Sequence, residues 1–246
     1  MNPELTVGTV FCNGVHAVRL LWRSYYFHNR ELPVKFWGWD NASTDGAAEY
    51  VGNWSNRLFR HPAGTSHQQG IDGMVKECST EFFLLLDFDV EFTGPFTSRA
   101  LSLLKGSPDA LCVSFPSGNP GVNFPVGNFG LMNGTRRINP CCALFRTEKV
   151  KFLLERFSFG TYFNFGPERR FFEVGAMIRQ VAETAGMEIM EPEWISNVVT
   201  HYGEIGSLVA NHALTDSRRR EFERRYAVIT RRSELYEEPP ETFGNP

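Results

Sequence analysis

The sequence predicts an α/β protein with a doubly wound, mostly parallel β-sheet. Short apolar runs alternate with helical stretches throughout residues 5–92. One run, EFFLLLDFDVEF at 81–92, is apolar enough to form a strand buried on both faces, as is typical of parallel sheets. Strands and helices that alternate in this way are joined by right-handed crossovers, so the helices should cover both faces of one sheet.

The N-terminal part of the chain contains regularly alternating elements. LTVGTVF is rich in β-branched residues, whereas HAVRLLWRSYYFHNR carries apolar residues at helical spacing. Thr44 or Asp45 can cap the helix that follows the second strand. The predicted elements, in order, are strand 5–11, helix 16–30, strand 34–39, a helix reaching Val51, strand 57–61, helix 67–78 and strand 81–92.

The C-terminal part is less regular. Residues 114–139 are rich in Gly, Pro and Asn and show no periodicity, and a loop of that length in a compact domain is usually functional or disordered. The elements predicted around it are a strand running into a helix at 141–157, an amphipathic helix at 171–186, an extended segment at 187–203, an Arg-rich helix at 215–236 and a loose tail at 237–246.

Composition excludes several classes of protein. The net charge of −3 gives no basic surface for nucleic acid, so we expect no nucleic-acid partner. Five cysteines without a CxxC pair indicate buried, reduced thiols. The longest apolar run, FFLLL, is too short to cross a bilayer, and the first residues lack the layout of a signal peptide. We therefore expect a cytoplasmic location.

Two carboxylates, Asp87 and Asp89, follow the buried strand directly. In open α/β sheets ligands bind beyond the carboxyl ends of the strands. Charged groups next to a buried strand are costly without a partner, and carboxylates are the ligands that Mg²⁺ or Mn²⁺ prefers. A metal that bridges a diphosphate is the interpretation we favour, and a solvated acidic turn is the alternative.

A polar loop follows the second strand at the same edge of the sheet. Asp40 can accept a hydrogen bond from the N–H of a nucleotide base, while Asn41 and Ser43 can stabilise the turn. An ordinary Asx-type turn is the alternative. Because two acidic loops are expected at one edge of the sheet, together they favour a bound nucleoside diphosphate.

These residues resemble the nucleotide-sugar half of a GT-A glycosyltransferase, close to the inverting enzymes of family 2. The resemblance rests on the segments TVGTVF, WDNASTDG and SHQQGIDGMVKECSTEFFLLLDFDV. It departs from the family at Ser66-His67-Gln68-Gln69-Gly70, where members usually carry an Arg and an Asn. It extends through INPCCALFRTEKVKFL and FFEVGAMIRQVAETAGMEI to WISNVVTHYGEIGS.

The resemblance implies a single GT-A-type domain at 1–236, with a Rossmann-like nucleotide-sugar half at 1–92, an acceptor half at 93–207 and a C-terminal helix at 208–236. It also implies a metal-dependent, inverting, hexosyltransferase-like enzyme that uses a nucleoside-diphosphate sugar and a carbohydrate or other hydroxyl acceptor. The residues it assigns are Glu173 as the general base, Asp40, Asn41, His67 and Asp87 for the nucleotide sugar, and Asp87, Asp89 and His201 for Mn²⁺ or Mg²⁺.

Some assignments have competitors. Glu168 is the second candidate for the base, and an acidic residue such as Glu173 is also favourable at a helix start for structural reasons. We expect residues 114–139 and Tyr162, Phe163, Asn164 and Phe165 to flank the acceptor, although they can equally be ordinary loop and core.

Two other classes of protein remain as alternatives. One is a non-catalytic nucleotide-sugar or carbohydrate-binding module of the same fold. The other is a haloacid-dehalogenase-type phosphatase with Asp87 as its nucleophile, which is disfavoured because Glu91 stands where that family usually has Thr. The seven arginines of the last helix favour a solvated helix with paired charges over peripheral membrane contact.

Overall fold

The computed structural model describes residues 4–62, 65–116, 137–159, 161–165, 168–172, 174–203, 205 and 215–240. These residues form a seven-stranded central sheet and two small two-stranded sheets. The strands are β1 (Leu5–Phe11), β2 (Val34–Asp40), β3 (Arg57–Arg60), β4 (Phe82–Asp87), β5 (Val90–Phe92), β6 (Ala110–Phe115), β7 (Asn139–Arg146), β8 (Thr161–Phe165), β9 (Glu168–Phe172), β10 (Glu188–Met190) and β11 (Val199–His201).

The central sheet has the strand order β10-β6-β7-β4-β1-β2-β3. Strand β7 runs antiparallel to both of its neighbours, and the other neighbouring pairs are parallel. Every residue of β1 is buried, as expected for a central strand with helices on both sides. The predicted mostly parallel α/β sheet is confirmed.

Helices cover both faces of this sheet. One core contains residues of α1, α2, α4 and α7, and the other contains residues of α3, α5 and α6. The helices are α1 (Val15–Asn29), α2 (Ala47–Gly52), α3 (His67–Glu77), α4 (Thr97–Gly106), α5 (Thr147–Leu154), α6 (Ala176–Thr184) and α7 (Asp216–Ser233), with a 3-10 helix at Glu193–Asn197. Among the described residues, no helix is both long enough and apolar enough to span a membrane.

The predicted strand at 81–92 is divided in two. Strand β4 ends at Asp87, the chain turns, and β5 pairs with β11 in a separate antiparallel sheet. The reason is tertiary, because the buried side chains of Val90 and Phe92 pack in the core while their backbone pairs with a strand that comes much later in the chain. The turn leaves Asp87 and Asp89 at the edge of the central sheet.

Two further regions differ from the sequence analysis. Helix α4 and strand β6 occupy a region for which no element was predicted. The predicted helix at 171–186 begins only at Ala176, after Gly175, whose φ of 87° is a left-handed conformation that suits glycine. Strand β9, paired with β8, occupies the residues before it.

Helix α3 lies unusually close to the sheet. A Cβ atom added to Gly73 would lie 2.5 Å from two ring carbons of Trp39, and one added to Gly70 would lie 2.9 Å from the same indole. Only glycine therefore allows this close packing. The contact determines where the first residue of α3, His67, lies relative to the strand ends.

Candidate functional site

The carboxyl ends of β1, β2 and β4 form the edge on which the candidate site is built. Phe11, the last residue of β1, pairs with Asp40, and its neighbour Val10 pairs with Asp87. Asp40 and Asp87 therefore lie on either side of β1, roughly 10 Å apart by the usual spacing of neighbouring strands. The two acidic loops do share one edge, as the sequence analysis expected.

Asp87, Asp89 and His201 meet beyond the end of β4. The Nε2 atom of His201 lies 3.1 Å from Oδ1 of Asp89 and 3.5 Å from Oδ2 of Asp87. One ligand atom from each of the three side chains lies within 4.8 Å of the others. Two carboxylates and an imidazole at this spacing can hold a divalent cation.

The small β5–β11 sheet brings His201 to the two aspartates. His201 is paired with Val90, the residue that follows Asp89. The backbone N–H of Tyr202 donates to the carbonyl of Asp89 at 3.1 Å, and the N–H of Ile205 donates to the Oδ2 atom of Asp89 at 3.4 Å. The segment after β11 therefore holds Asp89 by both its backbone and its side chain.

Burial and charge act together on this cluster. Burial raises the pKa of Asp87 above its ordinary value, and the neighbouring His67 and His201 counteract this only partly. Burial lowers the pKa of His201, but hydrogen bonds to Asp89 and Cys141 outweigh burial and raise it to about 11. The imidazole is therefore protonated without a cation, and a metal that binds its nitrogen must displace that proton.

The thiol of Cys141 is part of this environment and was not singled out from the sequence. It is buried on β7 and is hydrogen-bonded to His201. All five cysteines are free, and four of them are buried, in agreement with the predicted reduced thiols. The adjacent pair Cys141-Cys142 was visible in the sequence, but nothing local indicated that one of them would lie next to His201.

His67 lies on another side of Asp87, with its Nε2 atom 3.5 Å from Oδ1. It is the first residue of α3, whose start is stabilised by a capping box between Ser66 and Gln69. His67 is about half exposed, so its imidazole is available at the edge of the site. The structure thus places this histidine beside the acidic cluster, where the resemblance assigned it to the nucleotide sugar.

The loop after β2 is tightly ordered. Asp40 is buried, and its Oδ1 atom accepts a hydrogen bond of 2.9 Å from the backbone N–H of Ser43. Asn41 accepts the indole N–H of Trp39 at 3.1 Å. Ala42 has a φ of 63°, a conformation that non-glycine residues rarely adopt. The Asx-type turn proposed as the alternative is therefore present, and Asp40 takes part in it.

A second loop, between β1 and α1, supports the first. Asp45 accepts hydrogen bonds from the N–H groups of Gly14 at 2.6 Å and Val15 at 2.9 Å, and its other oxygen accepts that of Ala47 at 3.1 Å. The backbone N–H of Asn13 donates to the hydroxyl of Ser43 at 2.8 Å, and its side-chain Oδ1 atom accepts from the backbone N–H of Thr44 at 2.7 Å. Asp45 was predicted only as a cap of α2, and its role at the start of α1 could not be read from the sequence.

Solved structures with a similar fold carry nucleotide sugars. The chain superposes on the mannosyltransferase PcManGT from Pyrobaculum calidifontis, in complex with GDP-Man and Mn²⁺, with a TM-score of 0.57 and 12% identity over 96% of this chain and 74% of that one. It also superposes on S. aureus TarS in complex with UDP-GlcNAc, with a TM-score of 0.55 and 15% identity over 98% of this chain and 69% of that one. The fold is of the GT-A type. No protein-family model and no curated protein sequence matches the chain.

Within the GT-A fold, part of the predicted site lies outside the described residues. Glu173 is one such residue, and so is most of the predicted acceptor loop, 117–136. Glu168 begins β9, and the aromatic residues of 162–165 lie in β8 opposite it. The described residues therefore bring together Asp87, Asp89, His67 and His201, whereas the base and the acceptor side remain predictions.

Proposed function

We propose that the chain is a metal-dependent glycosyltransferase that transfers a sugar from a nucleoside-diphosphate sugar to a hydroxyl acceptor with inversion. The main support is the meeting of Asp87, Asp89 and His201 at the carboxyl edge of a GT-A-type sheet. Two structures of the same fold were solved with GDP-Man and Mn²⁺ and with UDP-GlcNAc, so the fold is suited to such donors.

The donor atoms of the three side chains fit a divalent cation. Mg²⁺ prefers oxygen ligands, whereas imidazole nitrogen suits transition metals, so the presence of His201 favours Mn²⁺ over Mg²⁺. When bound, the ion would neutralise negative charge that develops on the departing diphosphate. Asp87, Asp89 and His201 are the residues that would hold it.

The residues around the cluster have separate tasks in this proposal. Asp40 and Asn41, at the end of β2, would bind the nucleotide base, because the loop holds them in one conformation through hydrogen bonds to Ser43 and Trp39. His67 would donate a hydrogen bond to the diphosphate, because its imidazole reaches the edge of the cluster next to Asp87.

The acceptor hydroxyl must lose its proton as it attacks the anomeric carbon. The acidity of such a hydroxyl is too low near neutral pH, so a positioned carboxylate has to take the proton. Asp87 and Asp89 are unsuitable because a cation would occupy their lone pairs. We assign the role to Glu173, with Glu168 as the second candidate, and we expect residues 114–139 and 162–165 to flank a carbohydrate or other hydroxyl acceptor.

The proposal is tested by titrating the full chain calorimetrically with GDP, UDP and other nucleoside diphosphates, with and without Mn²⁺. At least one of them should bind, and Mn²⁺ should strengthen its binding. Binding of none of them under either condition would contradict the proposal.

Turnover distinguishes the proposal from its alternatives. A glycosyltransferase should release nucleoside diphosphate from the matching nucleotide sugar, slowly to water and faster with an acceptor. A non-catalytic module would bind the donor without any release. A phosphatase would instead liberate phosphate from simple esters without a nucleotide.

A further inference from the structure

A buried carboxylate lies next to the candidate metal cluster but outside it. Glu91, on β5, is 1% exposed and accepts four hydrogen bonds. Two come from Arg232, whose Nε and Nη2 atoms lie 2.5 Å from its two oxygens. The others come from the hydroxyl groups of Tyr202 at 2.7 Å and Tyr236 at 2.6 Å.

These four bonds connect the C-terminal helix to the strand that carries His201. Arg232 lies in the last turn of α7, and Tyr236 follows that helix. Tyr202 comes directly after His201, and Glu91 is paired with Thr200, the residue before it. Glu91 therefore links the end of α7 to both sides of His201.

A second contact from α7 reaches the same segment. The Nη1 atom of Arg225 donates to the carbonyl groups of Tyr202 at 3.1 Å and Gly203 at 3.4 Å. Its Nη2 atom is paired with Glu221 on the same helix at 2.5 Å. Helix α7 thus holds Tyr202 by its backbone through Arg225 and by its side chain through Glu91.

The Glu91 carboxylate is not itself suited to bind a ligand, since four hydrogen-bond donors already occupy it. Removing a carboxylate from water is costly, and good geometry with full hydrogen bonding is needed to offset that cost. The hydrogen bonds to Glu91 also restrict the backbone that follows His201. In that backbone, the N–H groups of Tyr202 and Ile205 donate to Asp89.

We propose that α7 is a positioning element for the metal site, acting through Arg232, Glu91 and Arg225 on the segment that carries His201. The proposal rests on the proposed function, because it concerns the same cluster of Asp87, Asp89 and His201. None of the three residues belongs to the group of side chains that could hold the metal. They keep His201 and Asp89 at the distance that a shared cation needs.

The test compares variants of the two arginines through which α7 contacts the segment around His201. Arg225→Ala removes the contact with Tyr202 and Gly203, and Arg232→Ala removes the contact with Glu91. Glu238→Gln is the matched control, because Glu238 follows α7 and contacts Arg23 on α1 and Tyr50 on α2 rather than β11. Arg225→Lys keeps one donor and should restore part of what Arg225→Ala loses.

Mn²⁺ affinity of the full chain is measured by calorimetry at a temperature where all variants are folded. Residues that orient metal ligands typically contribute about 10–100-fold to affinity, so Arg225→Ala should weaken Mn²⁺ binding about tenfold or more, while Glu238→Gln leaves it unchanged. An unchanged affinity in Arg225→Ala and Arg232→Ala would overturn the proposal. If Arg232→Ala does not fold, Arg225→Ala decides the question alone.

A second measurement separates this proposal from the proposed function. The imidazole ring signals of His201 are followed by NMR in the metal-free chain. They should shift or broaden in Arg225→Ala and stay in place in Glu238→Gln. If the parent protein binds no Mn²⁺, the metal-dependent part of the proposed function fails. The His201 signals then still decide whether α7 positions this residue, since unchanged signals in Arg225→Ala would refute it.

Discussion

The Nε2 atom of His201, on β11, lies 3.1 Å from the Oδ1 atom of Asp89, which is far away in the chain in the turn between β4 and β5. The pairing of β5 with β11 brings them together, and the same pairing places Asp87 within reach. Without a cation the protonated imidazole can stabilise the two carboxylates as an ion pair. A bound metal would replace that proton, so the cluster couples metal binding to the stability of the small sheet.

Mn²⁺ should therefore stabilise the folded protein. A ligand that binds only the folded state adds about 2.7 kcal/mol to the free energy of unfolding at a hundred times its Kd, so the thermal midpoint should rise and EDTA should reverse the change. Asp89→Asn should lose most of this effect, whereas Asp40→Asn should keep it because Asp40 lies outside the cluster. Equal stabilisation of parent and Asp89→Asn by Mn²⁺, measured by differential scanning fluorimetry, would argue against the site.

Glu173→Gln should abolish most sugar transfer and leave donor binding intact. A positioned base typically contributes about 10²–10⁴-fold to the rate, so the loss should be large but incomplete. The measurements are the transfer rate and calorimetric donor binding.

Glu168→Gln is the matched control for that experiment, since it changes the competing carboxylate in the same part of the chain. A parent-like rate in Glu173→Gln with a strong loss in Glu168→Gln would transfer the role to Glu168. Loss of donor binding together with activity in Glu173→Gln would indicate a structural role instead.

Asp45→Ala should destabilise the protein, because it removes an acceptor from the N–H groups at the start of α1 and from Ala47. Loss of such a capping side chain costs about 0.5–2 kcal/mol. Asp45→Asn keeps one oxygen acceptor and should lose less. The check is urea denaturation of both variants, and equal stability of Asp45→Ala and the parent would show that the contact contributes nothing.

Gly73→Ala should also lower stability, since its new Cβ would lie 2.5 Å from the ring of Trp39. Overpacking of this kind costs about 1–3 kcal/mol. Gly106→Ala is the matched control, because a Cβ at this helical position meets nothing within 4 Å and alanine favours the helix. Urea denaturation should show a loss for the first variant and none for the second, and the prediction fails if the two behave alike.

The thermal stability of the protein should depend on pH through the carboxyl group of Asp72, and the direction follows from its pKa. Burial raises the pKa of Asp72 above its ordinary value, and the hydrogen bond from the N–H of Phe159 at 3.0 Å offsets this only in part. A raised pKa in the folded state means that the ionised carboxylate disfavours folding above that pKa. Asp72→Asn keeps an acceptor without the charge, so at pH 7 it should unfold at the same or a higher temperature than the parent.

That advantage should shrink as the pH falls through the raised pKa, because the parent then binds a proton in its folded state. Asp72→Ala, which leaves the N–H of Phe159 without this acceptor, should be about 1 kcal/mol less stable than Asp72→Asn at every pH, because neither variant carries the charge. Thermal midpoints between pH 4 and pH 8 provide the measurement. An advantage of Asp72→Asn that grows toward acid would reverse the assigned sign.

The local pattern of the chain was enough to predict four strands of the central sheet, β1 to β4. The β-branched run at 5–11 forms β1 with the predicted bounds, and the helix predicted at 67–78 is α3. Runs of this kind are decided by short-range periodicity and by the need to bury apolar side chains on both faces of a parallel sheet. The position of Asp87 at the carboxyl edge followed from the same pattern, because charged residues that follow a buried apolar run mark the place where the strand ends.

Only the tertiary structure decided what meets these acids. The sequence alone predicted one strand through Phe92, whereas the chain turns after Asp87 so that β5 can pair with β11 and bring in His201. The charge pattern of α7 indicated a solvated helix, yet Arg232 bonds to the buried Glu91, 141 residues away in sequence. Such partners are selected by long-range packing and by the cost of leaving a buried charge unpaired, and neither leaves a periodic trace in the local sequence.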